Sequence, residues 1–211
     1  MMPLDDESTT DESTTTMQML QECRHGGEKS WHRLLERHRD ELVRFVALRM
    51  PASLRSRIDP SDVVQDTQLV AFRRLDDFLT RNPMPFRVWL LRTAREQLIS
   101  MYRRHLRARH RSVAVEVPLA DESSILIAQN IVSRVSSPSE HAMAEERRRQ
   151  IQDAIGRLTH GDRELLLMRQ YEKRSYEEIA EMLGIQAAAV RQRHARALMR
   201  LRATLLRAGL I

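Results

Sequence analysis

The sequence predicts an all-α chain: two small helical domains joined by a linker, the second built around a helix-turn-helix. Three observations carry this. Hydrophobic residues make up 42% of the 211 positions but aromatics only 4%, with 6 glycines. A sandwich or barrel would want more β-branched, aromatic and turn residues. Apolar side chains recur at steps of three and four through most of the chain. Between residues 112 and 137 that periodicity lapses.

Taken in order, residues 1–16 carry a tandem DESTT repeat, at 6–10 and 11–15. Acidic and rich in Ser and Thr, this stretch is expected to be a disordered tail, because it cannot bury enough surface to offset its ordering entropy. A first domain follows over 17–111. Its first strong helix carries Trp31, Leu34, Leu35, His38, Leu42, Phe45 and Val46 on one stripe, and Pro51 closes it. Asp59-Pro60-Ser61-Asp62 opens the next: Asp59 caps, Pro60 suits the first position and Asp62 favours the positive dipole end. That helix is expected to run to about Leu79, with Val64, Ala71, Leu75 and Phe78 buried. A third runs from Phe86 to about His110. The linker spans 112–137, within which Ile125–Val132 could form a short helix. Ser137-Pro138-Ser139-Glu140 reads as a capping box that starts the second domain, 138–211.

The chain carries a formal net charge of +6 and a sequence pI of about 10.3. Of its 35 basic side chains only Lys29 and Lys173 are lysine, and the rest are arginine. All five acids of residues 1–16 are uncompensated, so the remainder stands at +11. Such a balance points to a polyanionic partner, most simply nucleic acid, although coding bias alone can also enrich arginine. No stretch approaches the length of a membrane span, and the acidic start is unlike a secretory signal. Cys23 is a lone cysteine, which excludes an internal disulfide and a cysteine metal cluster. The cytoplasm is the expected compartment, and no cofactor, metal site or catalytic residue is expected.

The second domain carries the sharpest pattern. Thr159 and Asp162 frame a helix start, and Ser175-Tyr176-Glu177-Glu178 is a capping box opening a short helix with Ile179, Ala180 and Leu183. Gly184 can take the left-handed backbone of a tight stop. A last helix begins near Ala187, with Val190, Ala197, Leu198, Leu201 and Leu205 inward. Helix, glycine turn, helix is the layout whose second helix enters a major groove. From Ala187 to Ile211 there are six arginines and no acid. Arg191, Gln192 and Arg196 lie towards the front, suited to base edges or phosphates, and Ala188 lets the backbone approach closely. The competing reading is a solvated basic face on a plain helical hairpin. His194 falls on the apolar side and reads as a packed histidine.

In the helix after Pro60, Asp62, Gln65, Asp66, Leu69 and Arg73 line up along one face. An acidic and amide strip with one exposed leucine, in a basic chain, suits a protein partner with a basic groove, or is simply a solvated face. The third helix ends with five arginines among residues 103–111, Arg103 and Arg104 first. Arg87, Arg92 and Arg95 extend the charge upstream, with Phe86, Trp89 and Tyr102 interleaved. A basic surface beside aromatics suits single-stranded DNA, whose unpaired bases can stack. Trp89 is equally readable as core.

In this order the segments resemble the extracytoplasmic-function (ECF) sigma factors of bacterial RNA polymerase. The match rests on Asp59-Pro60-Ser61-Asp62-Val63-Val64-Gln65-Asp66 with Phe72 and Phe78, and on Phe86-Arg87-Val88-Trp89-Leu90 with Ala94-Arg95. It continues in Ser175-Tyr176-Glu177-Glu178-Ile179-Ala180 with Gly184-Ile185 and Val190-Arg191. It covers about residues 17–208. The resemblance implies a non-enzymatic promoter-specificity subunit. Its first domain (region 2) would bind the β′ clamp helices of core polymerase through Asp62, Gln65, Asp66, Leu69 and Arg73. The loop Thr80–Pro85 and the helix with Trp89, Arg92, Arg95, Glu96, Arg103 and Arg104 would engage the −10 element and hold its non-template strand open. The second domain (region 4) would place Ala188, Arg191, Gln192 and Arg196 at the −35 element and touch the β flap. An anti-sigma factor is a further partner of the class.

Glu96 stands where the family commonly has Asn, Ser100 where Asp is frequent, Gln192 in place of a small residue and His194 in place of an aliphatic one. These departures leave the promoter sequence open. A 26-residue linker reaches at most about 90 Å, against the roughly 70 Å of two duplex turns between the elements. Two other classes compete. A stand-alone helix-turn-helix regulator explains only residues 139–208. A DNA-processing enzyme would need its acids clustered, whereas Asp62, Asp66, Asp76 and Asp77 are spread along one helical stretch.

Overall fold

The computed structural model describes residues 7–24, 28–50, 52–81, 84–107 and 141–210, and among these no strand occurs. The first helix, α1 (Glu7–Arg24), begins well inside the acidic stretch. The expectation of a disordered tail through residue 16 is therefore corrected for 7–16. No Pro or Gly interrupts residues 7–24, acids sit at the positive dipole end, and Leu20 is buried further along. A packed turn can propagate helix through polar residues that would not nucleate it alone. Residues 1–6, the linker 112–137 and the capping box Ser137–Glu140 lie outside the described residues.

Helix α2 (Glu28–Arg49) ends two residues before Pro51, as the restricted backbone ahead of a proline requires. Its stripe Trp31, Leu34, Leu35, Leu42, Phe45 and Val46 is buried, with His38 half-buried. After the short α3 (Ala52–Arg55) comes α4 (Pro60–Arg73). Asp59 caps α4 by accepting from Ser61 N at 2.8 Å, while the Asp59 N–H donates back to Asp62 Oδ2 at 3.2 Å. The helix expected to reach Leu79 instead breaks at Arg74, and α5 (Leu75–Arg81) restarts it. Leu75 and Phe78 are both buried after the break. Helix α6 (Phe86–Arg107) packs on α2 and α4. Leu34, Leu42, Leu90, Leu91 and Leu98 are essentially sealed from solvent, each a stabilisation of about 1.5–3 kcal/mol.

The C-terminal part consists of α7 (His141–Gly156), α8 (His160–Leu166), a π-turn over Leu167–Tyr171, α9 (Tyr176–Leu183) and α10 (Ala187–Arg207). Thr159 caps α8 by accepting from Asp162 N at 3.2 Å. A core of Ile151, Ala154, Ile155, Leu158, Leu166, Leu167, Ala197, Leu201 and Leu205 joins α7, α8 and α10. Leu198, expected inside, is 39% exposed. The true stripe runs Val190, His194, Ala197, Leu201, Thr204 and Leu205, and Leu198 lies a further 100° around the helix from Ala197.

The two parts share a core. Leu165, Met168, Ile179, Ala180, Met182 and Val190 belong to the same buried cluster as the side chains of α2, α4 and α6, with α9 seated on α6.

Candidate nucleic-acid interface

The helix-turn-helix is built by three local devices. Ser175 Oγ accepts from Glu178 N at 3.0 Å, and Glu178 Oε2 accepts from Ser175 N at 2.8 Å, a reciprocal cap on α9. Gly184 ends α9 in the left-handed region (φ 66°, ψ 37°), where an L side chain would cost about 1–2 kcal/mol. His194 then ties the second helix to the first. It is buried on α10, with Nδ1 3.0 Å from Tyr176 Oη and Nε2 3.3 Å from Gln170 Nε2. Burial, with Arg169 adding repulsion, holds its pKa below the ordinary histidine value. It is the packed histidine that the apolar spacing implied.

With α10 held this way, Ala188, Arg191, Gln192 and Arg196 are all exposed on one side of it. Arg191 reaches Glu177 Oε1 at 2.6 Å and lies over the Tyr176 ring, while Arg196 sits 3.5 Å from Gln192 Oε1. Both pairs are at the surface, where such contacts are worth little and exchange readily for a phosphate or base edge. Behind this face Arg200 reaches both carboxylate oxygens of Asp162 at 2.7–2.8 Å. Arg95, Arg193, Arg196 and Arg200 line a cleft of about 370 Å³ between α6 and the C-terminal helices.

On α4, Asp62, Gln65, Leu69 and Arg73 are exposed and Asp66 half-exposed. Leu69 is 57% exposed and Phe72 beside it 54%. This ridge combines acids with two large apolar side chains held towards solvent. Phe72 leans on Trp31 (ring centroids 5.6 Å apart).

Helix α6 is different. Trp89 is half-buried and stacked on Phe78 at 4.5 Å, with Phe86 at 5.7 Å, so its ring packs against the core. Arg103, Arg104 and Glu96 are exposed, and Arg92 and Arg95 half-buried. Glu96 accepts from Arg92 at 3.3 Å and from Arg74 at 3.4 Å, within the N-terminal part, and three arginines of α6 also reach the C-terminal part. Arg92 Nη1 donates to the Glu181 carbonyl at 3.2 Å. Arg95 lies 4.0 Å from Glu164. Arg87 Nη1 donates to Glu178 at 3.1 Å. Arg109 and Arg111 lie outside the described residues.

Beneath that contact runs an ion network that periodicity and motifs did not single out. Arg49 donates to Glu164 at 2.8 Å and to Glu172 at 2.6 Å. Arg174 donates to Glu172 at 2.8 Å and to Glu41 at 3.3 Å, and Arg87 clamps Glu41 at 2.6 and 2.8 Å. Arg49, Glu164, Glu172 and Arg174 are buried. Burial alone would raise the pKa of Glu172 and of Glu41. The adjacent guanidiniums, Arg49 and Arg174 for Glu172 and Arg87 and Arg174 for Glu41, outweigh it, so both carboxyls titrate below their ordinary range. Burial likewise opposes the charge on Arg49, and its two carboxylates more than offset this. One signal was available: Arg49 continues the stripe Leu42, Phe45, Val46 at +7, +4 and +3, so an arginine stands at a core position.

The family model for sigma-70 region 2 matches residues 34–108, and that for sigma-70 region 4 matches residues 154–203. The chain belongs to the ECF sigma factor family. It is 27% identical over 190 residues to the ECF RNA polymerase sigma-E factor of Haemophilus influenzae, covering 88% of this chain and 93% of that one. Against the sigma-E factor of Escherichia coli K12 the figures are 27% over 195 residues, 88% and 92%. Two solved structures are similar. One is CnrH in complex with the cytosolic domain of CnrY (TM-score 0.53, 25% identity, 93% of this chain and 97% of that one). The other is the sigma factor RpoE in complex with the anti-sigma factor NepR from Bartonella quintana (TM-score 0.51, 21% identity, 84% and 97%), a likeness of fold. In this sigma factor the π-turn, α8, α9 and most of α10 fall in the region 4 match, and α4 to α6 in the region 2 match. Among the described residues no helix is long and apolar enough to cross a membrane, and no His, Cys, Asp and Glu cluster could hold a metal.

Proposed function

We propose that this chain directs core RNA polymerase to promoters as an ECF sigma factor, working in the cytoplasm and making or breaking no bond itself. The observation that carries it is the pairing, in one chain, of an exposed acidic and apolar ridge on α4 with a helix-turn-helix whose second helix exposes arginines. A stand-alone regulator needs only the second. In this reading residues 17–111 form region 2, 112–137 the linker and 138–211 region 4.

Asp62, Gln65, Asp66, Leu69 and Arg73 meet the β′ clamp helices. Acids at the edge steer the encounter and exclude wrong partners, while Leu69 supplies apolar area at the centre. Ala188, Arg191, Gln192 and Arg196 meet the −35 major groove, and region 4 also touches the β flap. Trp89, Arg92, Arg95, Glu96, Arg103 and Arg104 face the −10 element. Arginines there hold the backbone of the non-template strand. Trp89, packed on Phe78, supports that surface more than it offers a free stacking face. Opening duplex costs about 1.4 kcal/mol per stacking step, so these contacts trap an opening whose remaining cost the polymerase must supply. An anti-sigma factor would act by covering the same surfaces.

The test is transcription in vitro with purified core polymerase on a genomic template library, with start sites mapped. Start sites that depend on the added chain, lost with Asp66→Arg, are the expected result. Unaltered transcription by the Asp66→Arg variant would overturn the polymerase-facing assignment.

A further inference from the structure

Tyr176, the first residue of α9, is gripped from several sides. Its hydroxyl lies 3.0 Å from His194 Nδ1, and the two rings meet edge to face with centroids 5.7 Å apart. The Arg169 guanidinium lies over the Tyr176 ring at 4.7 Å and that of Arg191 at 5.5 Å. His194 is itself oriented, because its Nε2 meets Gln170 Nε2 at 3.3 Å. An amide nitrogen only donates, so the imidazole accepts at Nε2, and in its neutral form it then donates from Nδ1 to the Tyr176 oxygen. Burial and the nearby Arg169 both favour that neutral form.

We propose that His194 is a positioning residue for promoter reading: by holding the Tyr176 ring, it fixes the direction in which Arg191 is presented to the −35 bases. The proposal rests on the reading of α10 as the −35 helix, and adds what aims its arginine.

The chemistry of the two Arg191 contacts differs. Glu177 takes up part of the N–H fork at 2.6 Å and must be displaced before a base can be bound. Attraction to an aromatic face leaves the fork available, so the ring can steer Arg191 while its N–H groups meet guanine O6 and N7. An exposed arginine is rich in rotamers, and a support that removes the wrong ones lowers the cost of ordering it on the base. The support works only if the ring is itself fixed. Its backbone end is set by the reciprocal cap of Ser175 and Glu178, and its hydroxyl end by His194. An aliphatic side chain at 194, commoner in the family, would fill the same space without gripping the hydroxyl. Gln192 and Arg196 pair with each other at 3.5 Å, so the positions they read serve as an internal control.

Holoenzyme assembled from core polymerase and the full chain tests this. The −35 segment of a promoter mapped in the transcription experiment is randomised, and the bound duplexes are sequenced to give a base preference at every position. Arg191→Ala marks the position that Arg191 reads. His194→Leu should lower the preference at that position about fivefold, within the range for residues coupled by contact, and leave the other positions unchanged. Tyr176→Phe keeps the ring and removes the hydroxyl. It should relax the same position, and it serves where His194→Leu does not fold, as judged by helix content in circular dichroism. An unchanged preference at that position in either folded variant would overturn the proposal. So would a uniform loss of binding over all sequences, which a merely structural histidine would produce. If Arg191→Ala relaxes no position, Arg191 is not the reader and the proposal falls with that assignment. If the wild-type chain yields no start sites, the sigma factor reading itself has failed, and the proposal with it.

Discussion

Helices α4 and α6 lie side by side in the same domain, yet they present their functional faces in opposite conditions. The ridge on α4 turns acids, Leu69 and Phe72 towards solvent. Of the basic row on α6, Arg87, Arg92 and Arg95 reach acceptors in region 4, while Arg103 and Arg104 stay exposed. The difference separates a ridge left to solvent from a row of arginines part of which the chain itself already engages. It also separates two kinds of charge. The charges on α4 are solvated and cost nothing to keep, whereas those under α6 are buried and must stay paired.

That contrast can be broken from the buried side with the largest effect. Arg49→Ala leaves Glu164 and Glu172 facing each other in a buried site, and should cost about 3–5 kcal/mol of stability, read as a lower urea midpoint. From the exposed side, Asp66→Arg should leave the urea midpoint near wild type while cutting polymerase affinity roughly a hundredfold, as loss of a paired interface charge does. A variant that loses stability as well would show that the ridge is structural. Arg191→Ala should cost about 1–3 kcal/mol at its cognate base and relax specificity there. Competition with base-substituted −35 duplexes checks it, and a uniform loss across sequences would reassign Arg191 to phosphate. Gly184→Ala forces a side chain into the left-handed region and should cost about 1–2 kcal/mol. Its Cβ would meet Arg92 Nη2 at an ordinary van der Waals distance of 3.8 Å and clash with nothing, so the loss should be backbone strain alone.

The smallest effect is acid sensitivity, with two windows. His194 has a folded pKa below its unfolded value, so the unfolded chain takes up the proton first. Stability then declines as pH falls below about 6.5, and Tyr176 fluorescence near the turn should respond. Glu41 and Glu172 also have depressed values. Their contribution is complete above the unfolded carboxylate range and is lost as pH drops through the folded values, beginning near 4.3. A stability loss in that lower window that Glu172→Gln removes would sharpen the contrast between α4 and the network under α6. A loss confined to the upper window would assign the sensitivity to the helix-turn-helix through His194.

Much of the local structure was readable because local devices set it. Asp59 with Pro60, Ser175 with Glu178, and Gly184 each act within a few residues of backbone, so their caps and turn follow from spacing. The α4 ridge was legible for the same reason: positions 62, 65, 66, 69 and 73 share a face on any α-helix. The miss at Leu198 came from taking one apolar residue too many into a stripe that already held His194 and Thr204. The miss at residues 7–16 came from weighing composition without the packing of Leu20 downstream. Trp89 could be read as core or as stacking platform, and only its contacts with Phe78 and Phe86 decide for packing.

By itself, then, the sequence determined helical content, the placement of the caps, the turn of the helix-turn-helix, the faces of α4 and α10, and enough motif order to reveal the family. The tertiary structure alone decided that the two modules close on each other and that Arg49, Glu164, Glu172 and Arg174 meet. The reason is range. Caps, turns and helix faces depend on neighbours within a turn or two, whereas an ion pair between residues 49 and 172 depends on how α8 to α10 are laid against α2 and α6, which no periodicity records.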